Sequence, residues 1–229
     1  MNRPDWQWNE MQQVGTDYAD LAQVEIYDNR MGTFRDVNAE NRQMLGMLNL
    51  PAAGAAVLEI GCGTGRFARA AASAGMKVTA VDVSPIMLEY VKKKAGDEGL
   101  PEIRTQHSGF LTMDLPEAGF DAAVSGAALH HLPDAWKFVA LRNIARALKQ
   151  GGQFILRDVV FSSAEEPEKV FERFSGAFPG MRKEASRHVA QEFSTYDWIM
   201  EGLLERAGFE ILSKANPNES FLVYHCRKK

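Results

Sequence analysis

The chain is poor in cysteine, with two among its 229 residues, Cys62 and Cys226. Their spacing matches neither a disulfide framework nor a metal-binding motif, which favours a reducing compartment. No apolar run approaches the roughly 18 residues of a membrane-spanning helix. The polar N-terminal segment also lacks the apolar core of a signal peptide. These absences predict a cytoplasmic protein without a membrane partner.

The sequence also has no excess of positive charge, since its formal net charge is −4 at pH 7. A protein whose main partner is nucleic acid needs cations to meet phosphates, so we expect no nucleic-acid partner. Hydrophobic residues make up 45% of the chain and charged residues 24%, as in an ordinary globular protein. The length predicts one domain spanning residues 1–229, present as a monomer or homodimer.

From residue 56 onward, apolar runs alternate with helical patterns. This alternation predicts an α/β fold, a Rossmann-like, mostly parallel sheet with helices on both faces. The predicted parallel strands are Ala56–Ile60, Lys77–Val81, Ile103–His107, Phe120–Ser125 and Gln153–Val159. Phe209–Ser213 and Ser220–Cys226 follow as two further strands, and the turn-forming Asn216-Pro217-Asn218 between them predicts a C-terminal antiparallel hairpin.

Two segments do not follow this alternation. Residues 1–50 carry aromatic side chains and a helical pattern over Val37–Leu48, which predicts an N-terminal helical cap. Residues 161–193 are charged but rich in phenylalanine, and they predict a lid-like helical insertion after the fifth strand. Within it we expect His188 to be exposed. A helix over Tyr196–Arg206 follows, with Ser194 or Thr195 as its N-cap.

The most informative stretch is a glycine-rich turn between the first strand and its helix. Gly61, Gly63 and Gly65 follow Glu59, and a helical pattern begins at Arg66. A strand, a glycine turn and a helix form the usual nucleotide-binding unit of an α/β sheet. The dinucleotide fingerprint G-x-G-x-x-G would require a third glycine where Arg66 stands. The spacing therefore disfavours a nicotinamide dinucleotide.

Glu59 to Gly65 instead resembles the first motif of class I S-adenosylmethionine (SAM) methyltransferases, E/D-x-G-x-G-x-G. The stretch Ala128 to Asp134, ALHHLPD, is similar to the methyltransferase type 11 group. The resemblance implies a seven-stranded sheet ending in an antiparallel hairpin. It also implies SAM as cofactor, S-adenosyl-L-homocysteine as product and a small-molecule substrate.

The resemblance also implies positions for the cofactor. Asp82 would bind the ribose hydroxyls, and Glu59 would orient the glycine turn and reach the SAM ammonium group, unless it only accepts loop amides. An acid that often binds adenine is absent after the third strand, so backbone groups at Gly109 and Phe110 would replace it. The full set of predicted cofactor contacts is Glu59, Gly61, Cys62, Gly63, Gly65, Asp82, Val83, Met87, Gly109, Phe110, Ser125 and Tyr27.

On the acceptor side, His130 or His131 is a candidate general base, because histidine titrates near neutrality. Asp158, at the end of the fifth strand, is a candidate base or acceptor ligand, or else pairs with Arg157 to anchor the lid. We expect no metal; a site of His130, His131 and Asp134 is the less favoured alternative.

These features predict a SAM-dependent methyltransferase acting on a small, apolar or aromatic acceptor by in-line displacement. Three alternatives stay open on the sequence alone. One is a SAM-binding protein without catalytic activity. Another is a methyltransferase that acts on a protein. The third, less favoured, is a NAD-dependent oxidoreductase.

Overall fold

The computed structural model describes residues 4–12, 24–26, 32, 36–51, 53–162, 165–177, 180, 182–217 and 221–229. Tyr18, Tyr27 and Arg35, proposed from the sequence to close over the cofactor, lie outside these residues. Among the described helices, none combines the length and the apolar character needed to cross a bilayer.

A seven-stranded sheet forms the centre of the molecule, in the order β3-β2-β1-β4-β5-β9-β8. The pairings among the first five strands are parallel, whereas β9 is antiparallel to both β5 and β8. The predicted mostly parallel sheet with a C-terminal hairpin is thus confirmed. Its strands are β1 Ala56–Ile60, β2 Lys77–Asp82, β3 Arg104–His107, β4 Phe120–Gly126, β5 Leu148–Asp158, β8 Phe209–Ala215 and β9 Leu222–Lys228.

Most of the helices cover the sheet, because they present an apolar face to it. The inner strands are buried on both faces; Leu58 in β1 and Ala123 in β4, for example, are fully buried. Two apolar clusters result, one on each face of the sheet. The helices are α1 Val37–Leu48, α2 Arg66–Ser73, α3 Pro85–Asp97, α4 Asp134–Ala147, α5 Pro167–Ala177, α6 Arg182–Gln191 and α7 Asp197–Arg206.

Side chains define where several of these helices begin. Asp36 accepts a hydrogen bond from the Ala39 amide at 2.9 Å and caps α1. Ser84 accepts one from the Met87 amide at 3.3 Å, with Pro85 in the first turn of α3, as the sequence predicts. Tyr196 is the N-cap of α7 and makes no side-chain cap. The predicted cap by Ser194 or Thr195 is wrong, because Thr195 is part of a short strand.

That short strand is one of two that the sequence pattern did not predict. β6 (Val160–Phe161) pairs in parallel with β7 (Thr195–Tyr196), so the two ends of the insertion lie side by side. Between them α5 and α6 pack on their own apolar cluster, which includes Val170, Phe174 and Ala185.

Candidate cofactor and acceptor site

The glycine turn after β1 has a backbone that only glycine adopts easily. Gly61, Gly63 and Gly65 have φ values of 69°, 51° and 68°. A Cβ on Gly61 would lie 2.3 Å from Ala128 Cβ, and one on Gly65 would lie 2.5 Å from Val91 Cγ2. A Cβ on Gly63 would meet no described atom within 4 Å. The outer glycines therefore permit close packing, whereas the middle one faces open space suited to a ligand.

Two buried carboxylates fix the shape of this turn. Glu59 accepts a hydrogen bond from the Ala68 amide at 3.0 Å, in the first turn of α2. Asp82, at the end of β2, accepts one from the Gly63 amide and one from the Ser84 amide, each at 2.8 Å. Each Asp82 oxygen keeps a further lone pair, which suits a ligand hydroxyl.

Burial changes the proton affinity of both carboxyls. Loss of solvent raises the pKa of Glu59 to about 8, although the Ala68 amide opposes this shift. Burial also raises the pKa of Asp82, against the hydrogen bonds from Ser84 and Gly63. A ligand cation near Glu59 would favour its ionised form. The turn therefore carries acceptors whose charge a cationic ligand would complement.

Two serine hydroxyls lie buried at the carboxyl ends of neighbouring strands. Ser125 is fully buried in β4, and Ser108, just after β3, is 4% exposed. Neither hydroxyl has a hydrogen-bond partner among the described residues. Buried polar groups normally have partners, so an unpaired hydroxyl at this edge of the sheet is consistent with a ligand that supplies one.

The other predicted contacts in this region are mostly packed against protein. Cys62 is buried in an apolar cluster, and burial raises the pKa of its thiol well above the usual range. Met87 is buried against Val24 and Tyr90, while Val83 is half-buried beside Asp82. A packing role suits Cys62 and Met87, and cofactor contact by these three residues stays a prediction.

After β3 the structure places an acidic side chain that the sequence did not suggest. Glu10, from the N-terminal segment, accepts hydrogen bonds from the Leu111 amide at 3.0 Å and the Thr112 hydroxyl at 2.8 Å. It lies so close to Gly109 that a Cβ there would be 2.3 Å from Glu10 Oε2. Burial raises the Glu10 pKa. Sequence separation hides this contact, since Glu10 is 101 residues from Leu111.

The backbone groups expected to bind adenine already have partners. The Gly109 amide donates to Thr112 Oγ1 at 3.1 Å, and the Gly109 carbonyl accepts from the Met113 amide. The Phe110 carbonyl accepts from the Asn143 side chain at 3.0 Å. Each carbonyl keeps a second lone pair, so adenine binding by these groups stays a prediction. Gly109 and Phe110 can also offer apolar contact.

A cluster of imidazoles and carboxylates lies where β4 and β5 end. His130 contacts Asp158 through Nδ1 and Glu192 through Nε2, the latter at 3.1 Å. Its backbone amide donates to the second Asp158 oxygen at 3.0 Å. His188 Nδ1 contacts the same Glu192 oxygen. The His131 ring lies 4.4 Å from that of His130.

These contacts decide which groups carry protons. Burial opposes a charge on His130, but Asp158 and Glu192 outweigh it and raise its pKa to about 9. Crowding by protein atoms and the nearby charge of His130 lower the pKa of His131 to about 4, although its outer edge is exposed. Burial alone would raise the pKa of Asp158, but His130 outweighs burial, so the pKa lies below its usual range. Glu192 likewise has a depressed pKa, since its histidine partners outweigh burial.

This geometry corrects two sequence-based expectations. His130 is 5% exposed and both of its ring nitrogens contact carboxylates, so it is not a free general base. Asp158 is fully buried and bonded to His130 and to the Val159 amide, so it cannot contact an acceptor directly. His131 is the exposed member of the pair, but its depressed pKa makes it a weak base.

Three neighbouring expectations also change. Arg157 pairs with Glu40 of α1 at 2.9 Å and lies over the Phe221 ring, instead of pairing with Asp158. His188, expected to be exposed, stacks on the Phe174 ring at 4.8 Å. Asp134 pairs with Lys137 at 2.7 Å, and Thr195 donates to it at 3.0 Å, so Glu192 and not Asp134 joins the histidine pair.

Sequence reasoning missed Glu192 because no local pattern connects it to His130. The one available signal was the i,i+4 spacing of His188 and Glu192, which lie on one face at the end of α6. Just before β7, the Phe193 amide donates a hydrogen bond to the His130 carbonyl at 2.8 Å, which holds this part of the chain next to His130.

Comparison with known proteins finds a matching family model and several relatives. The model of a methyltransferase domain matches residues 57–152. The SAM-dependent Diels-Alderase iccD of Talaromyces variabilis is 31% identical over 183 residues, 79% of this chain and 61% of that protein. A methyltransferase of Geobacillus sp. strain WCH70 is 28% identical over 193 residues, 82% of this chain and 83% of the relative.

Among solved structures, the chain is similar to geranyl diphosphate methyltransferase in complex with GPP and sinefungin. The TM-score is 0.70 at 12% sequence identity, with 84% of this chain and 78% of that chain covered. At this identity the likeness bears on the fold. The region that matches the methyltransferase domain model begins in β1 and includes the glycine turn, Asp82 and the histidine pair.

Proposed function

We propose that this chain is a class I SAM-dependent methyltransferase, as its match to a methyltransferase domain supports, and that it transfers a methyl group from SAM to a small-molecule acceptor. The observation that carries this proposal is the turn at Gly63, whose amide donates to Asp82 and where an added Cβ would meet no described atom within 4 Å. When bound, SAM supplies an activated methyl group and its own leaving group. The protein therefore has to align the reactants and exclude water.

Residues of the turn suit the parts of this cofactor. Asp82 has free lone pairs for vicinal ribose hydroxyls and is 8% exposed, so those bonds form away from bulk water. Glu59 provides a negative charge for an ammonium group, reached directly or through water. The small residues Gly126, Ala127 and Ala128 line the exit of β4 and leave room for the reacting groups.

We infer that the acceptor is apolar or aromatic. The β4 exit lies next to the insertion, because Phe161 and Phe174 of the insertion form one apolar cluster with Phe221, and Ala127 and Tyr196 pack against that cluster. Because methyl transfer from a sulfonium needs little acid–base help, an ion-paired His130 does not argue against catalysis. The proposal places the acceptor between the insertion and the glycine turn.

Isothermal titration calorimetry tests the cofactor assignment. We expect SAM and S-adenosylhomocysteine to bind and NADH not to bind. Asp82→Asn should weaken SAM binding about tenfold or more, because it removes a charge-assisted acceptor. Asp97→Asn, an exposed carboxylate at the end of α3, is the matched control and should leave binding unchanged. Equal SAM affinity in both variants would contradict the ribose role of Asp82.

Methyl transfer itself is tested by release of S-adenosylhomocysteine with a panel of apolar and aromatic alcohols, phenols, amines and thiols. Product should form with at least one acceptor class and should require SAM. SAM binding without any release across the panel would favour a different use of the cofactor.

One comparison favours a second candidate of that kind. The 31% identical relative from Talaromyces variabilis is named a SAM-dependent Diels-Alderase. We propose as the alternative that this chain binds SAM without consuming it and shapes a pocket for a pericyclic reaction. Such a pocket needs no free base, in agreement with the paired state of His130. Turnover of a diene–dienophile substrate with SAM recovered intact would support this alternative over methyl transfer.

A further inference from the structure

Within the described residues, one cluster has the composition and spacing of a metal site. It consists of His130, His131 and Glu192, whose ligand atoms all lie within 4.8 Å of one another. Two histidines and one carboxylate form a ligand set that proteins use for divalent transition metals with an open coordination position. The cluster differs from the sequence-derived alternative, because Glu192 takes the place of Asp134.

The distances approach those of a bound ion. Ligands about 2.1 Å from a tetrahedral zinc ion are roughly 3.4 Å apart. His130 Nε2 and Glu192 Oε2 are 3.1 Å apart, so an ion can replace the proton between them with little movement. The ligand atom of His131 lies within 4.8 Å of the other two, on an exposed side chain. Its exposed edge also gives an ion a path from solvent.

Each of the two buried ligands is already held by a partner outside the proposed coordination shell. Asp158 contacts His130 Nδ1 and so leaves Nε2 directed at Glu192. His188 contacts Glu192 and is itself bonded to the Ser194 hydroxyl at 3.2 Å. Carboxylate–histidine–metal arrangements of this type orient ligands and increase their basicity. An ordinary surface ion pair would not need such support.

Charge balance also favours a divalent ion. Asp158 is fully buried and Glu192 has an 11% exposed side chain, so two carboxylates lie in a region of low solvent access. His130 contacts both carboxylates and His188 contacts Glu192, so an ion beside His130 would place positive charge where the two carboxylates converge. Charged groups with little solvent access are normally paired or bound to metal.

We propose that His130, His131 and Glu192 bind one divalent transition-metal ion, of which zinc is the type, at the carboxyl ends of β4 and β5. Three protein ligands leave a coordination position for an oxygen atom of water or of an acceptor. Ala128, two residues before His130, packs against Gly61 of the cofactor turn. The ion would thus lie on the acceptor side of the crevice. Binding of an acceptor at the open coordination position rests on the proposed function, whereas metal binding itself does not.

The test uses full-length protein without an affinity tag, freed of metal with a chelator. Calorimetric titration with Zn²⁺ should give one site per chain, and Co²⁺ should give a visible ligand-field spectrum. His131→Ala should weaken Zn²⁺ binding by at least tenfold and change the Co²⁺ spectrum. Because His131 is exposed, this variant should fold. Asp158→Asn should weaken binding about 10- to 100-fold through His130.

His225→Ala is the matched control, since His225 lies in β9 and bonds to Gln153 at 2.8 Å, away from the cluster. It should bind Zn²⁺ like the natural chain. Less than one equivalent bound by the natural chain, or equal affinity in His131→Ala, would overturn the proposal. SAM titration of the same samples separates this failure from a failure of the proposed function, because SAM binding does not require the cluster.

Discussion

At the scale of single residues, Glu59 beside the glycine turn makes the stability of the fold depend on pH. Its folded pKa of about 8 exceeds the ordinary value of 4.5, so between these pH values the folded state holds a proton that the unfolded state releases. Stability from this group is complete below about pH 4.5 and is lost as pH rises toward 8. The unfolding free energy should fall by up to about 1.4 kcal/mol per pH unit in this range.

Glu59→Gln isolates that contribution, because a neutral amide keeps an acceptor for the Ala68 amide. Urea unfolding at several pH values should show that the difference between natural chain and variant shifts in favour of the variant as pH increases from 5 to 8. A constant difference across this range would mean that Glu59 is already ionised in the folded protein.

Gly63 offers a second residue-scale prediction with a close control. Alanine at Gly63 or at Gly99 adopts a left-handed backbone, φ 51° and 64°, and meets no described atom within 4 Å. Both variants should therefore lose about 1 kcal/mol of stability. Only Gly63→Ala should also lose SAM affinity, measured by calorimetry, because its methyl group enters the space reserved for the ligand. Similar SAM affinities in the two variants would place the cofactor elsewhere.

At the scale of elements, the insertion is stabilised separately from the sheet. Phe174 is 8% exposed in α5 and stacks on His188 with an interplanar angle of 12°. Phe174→Ala should remove about 3–5 kcal/mol of packing. The loss should appear in hydrogen exchange as faster exchange in α5 and α6, with β1 and β4 unchanged.

Phe171→Ala is the control on the same helix. Phe171 is half-buried and contacts the Arg182 guanidinium at 4.5 Å, so its loss should accelerate exchange less. Uniformly faster exchange over the central sheet in Phe174→Ala would show that insertion and sheet unfold as one unit.

The elements also show how far the sequence predicts this fold. Apolar runs and glycine turns predicted the five parallel strands and the last hairpin, because strand burial and turn chemistry are local properties. The sequence placed the start of β5 at Gln153, but the strand begins at Leu148 and passes through Gly151 with φ 73°. There the pairing of Phe120 with Leu148 overrides the glycine signal.

For the site, local motifs predicted the glycine turn and Asp82, because the hydrogen bonds of Glu59 and of Asp82 join neighbouring parts of the sequence. The partners of His130 were not predictable in the same way, since Glu192 and Asp158 reach it through tertiary packing. The same holds for Glu10 beside Gly109. The proton affinity of a side chain depends on such distant partners. The sequence alone therefore could not show that His130 is paired with carboxylates and is not a free base.

At the scale of the whole molecule, cofactor binding should stabilise the fold. A ligand at about 100 times its dissociation constant adds about 2.7 kcal/mol to the unfolding free energy. For a chain of this size that corresponds to an increase in melting temperature of about 5–10 °C. Differential scanning fluorimetry with SAM should show this shift, and NADH at the same concentration should give none. An equal shift with NADH would contradict the cofactor assignment.

The parallel pairing of Val160 with Thr195 has a consequence for how this protein can diversify. Paired strands lie about 4.8 Å apart, so the chain leaves the sheet and returns to it at almost the same point. The two ends of the segment between these residues are therefore adjacent, and the segment can be exchanged without changing the order or direction of the strands around it. If the acceptor lies against this segment, as proposed above, grafting at this boundary should change acceptor preference and leave the glycine turn unaltered.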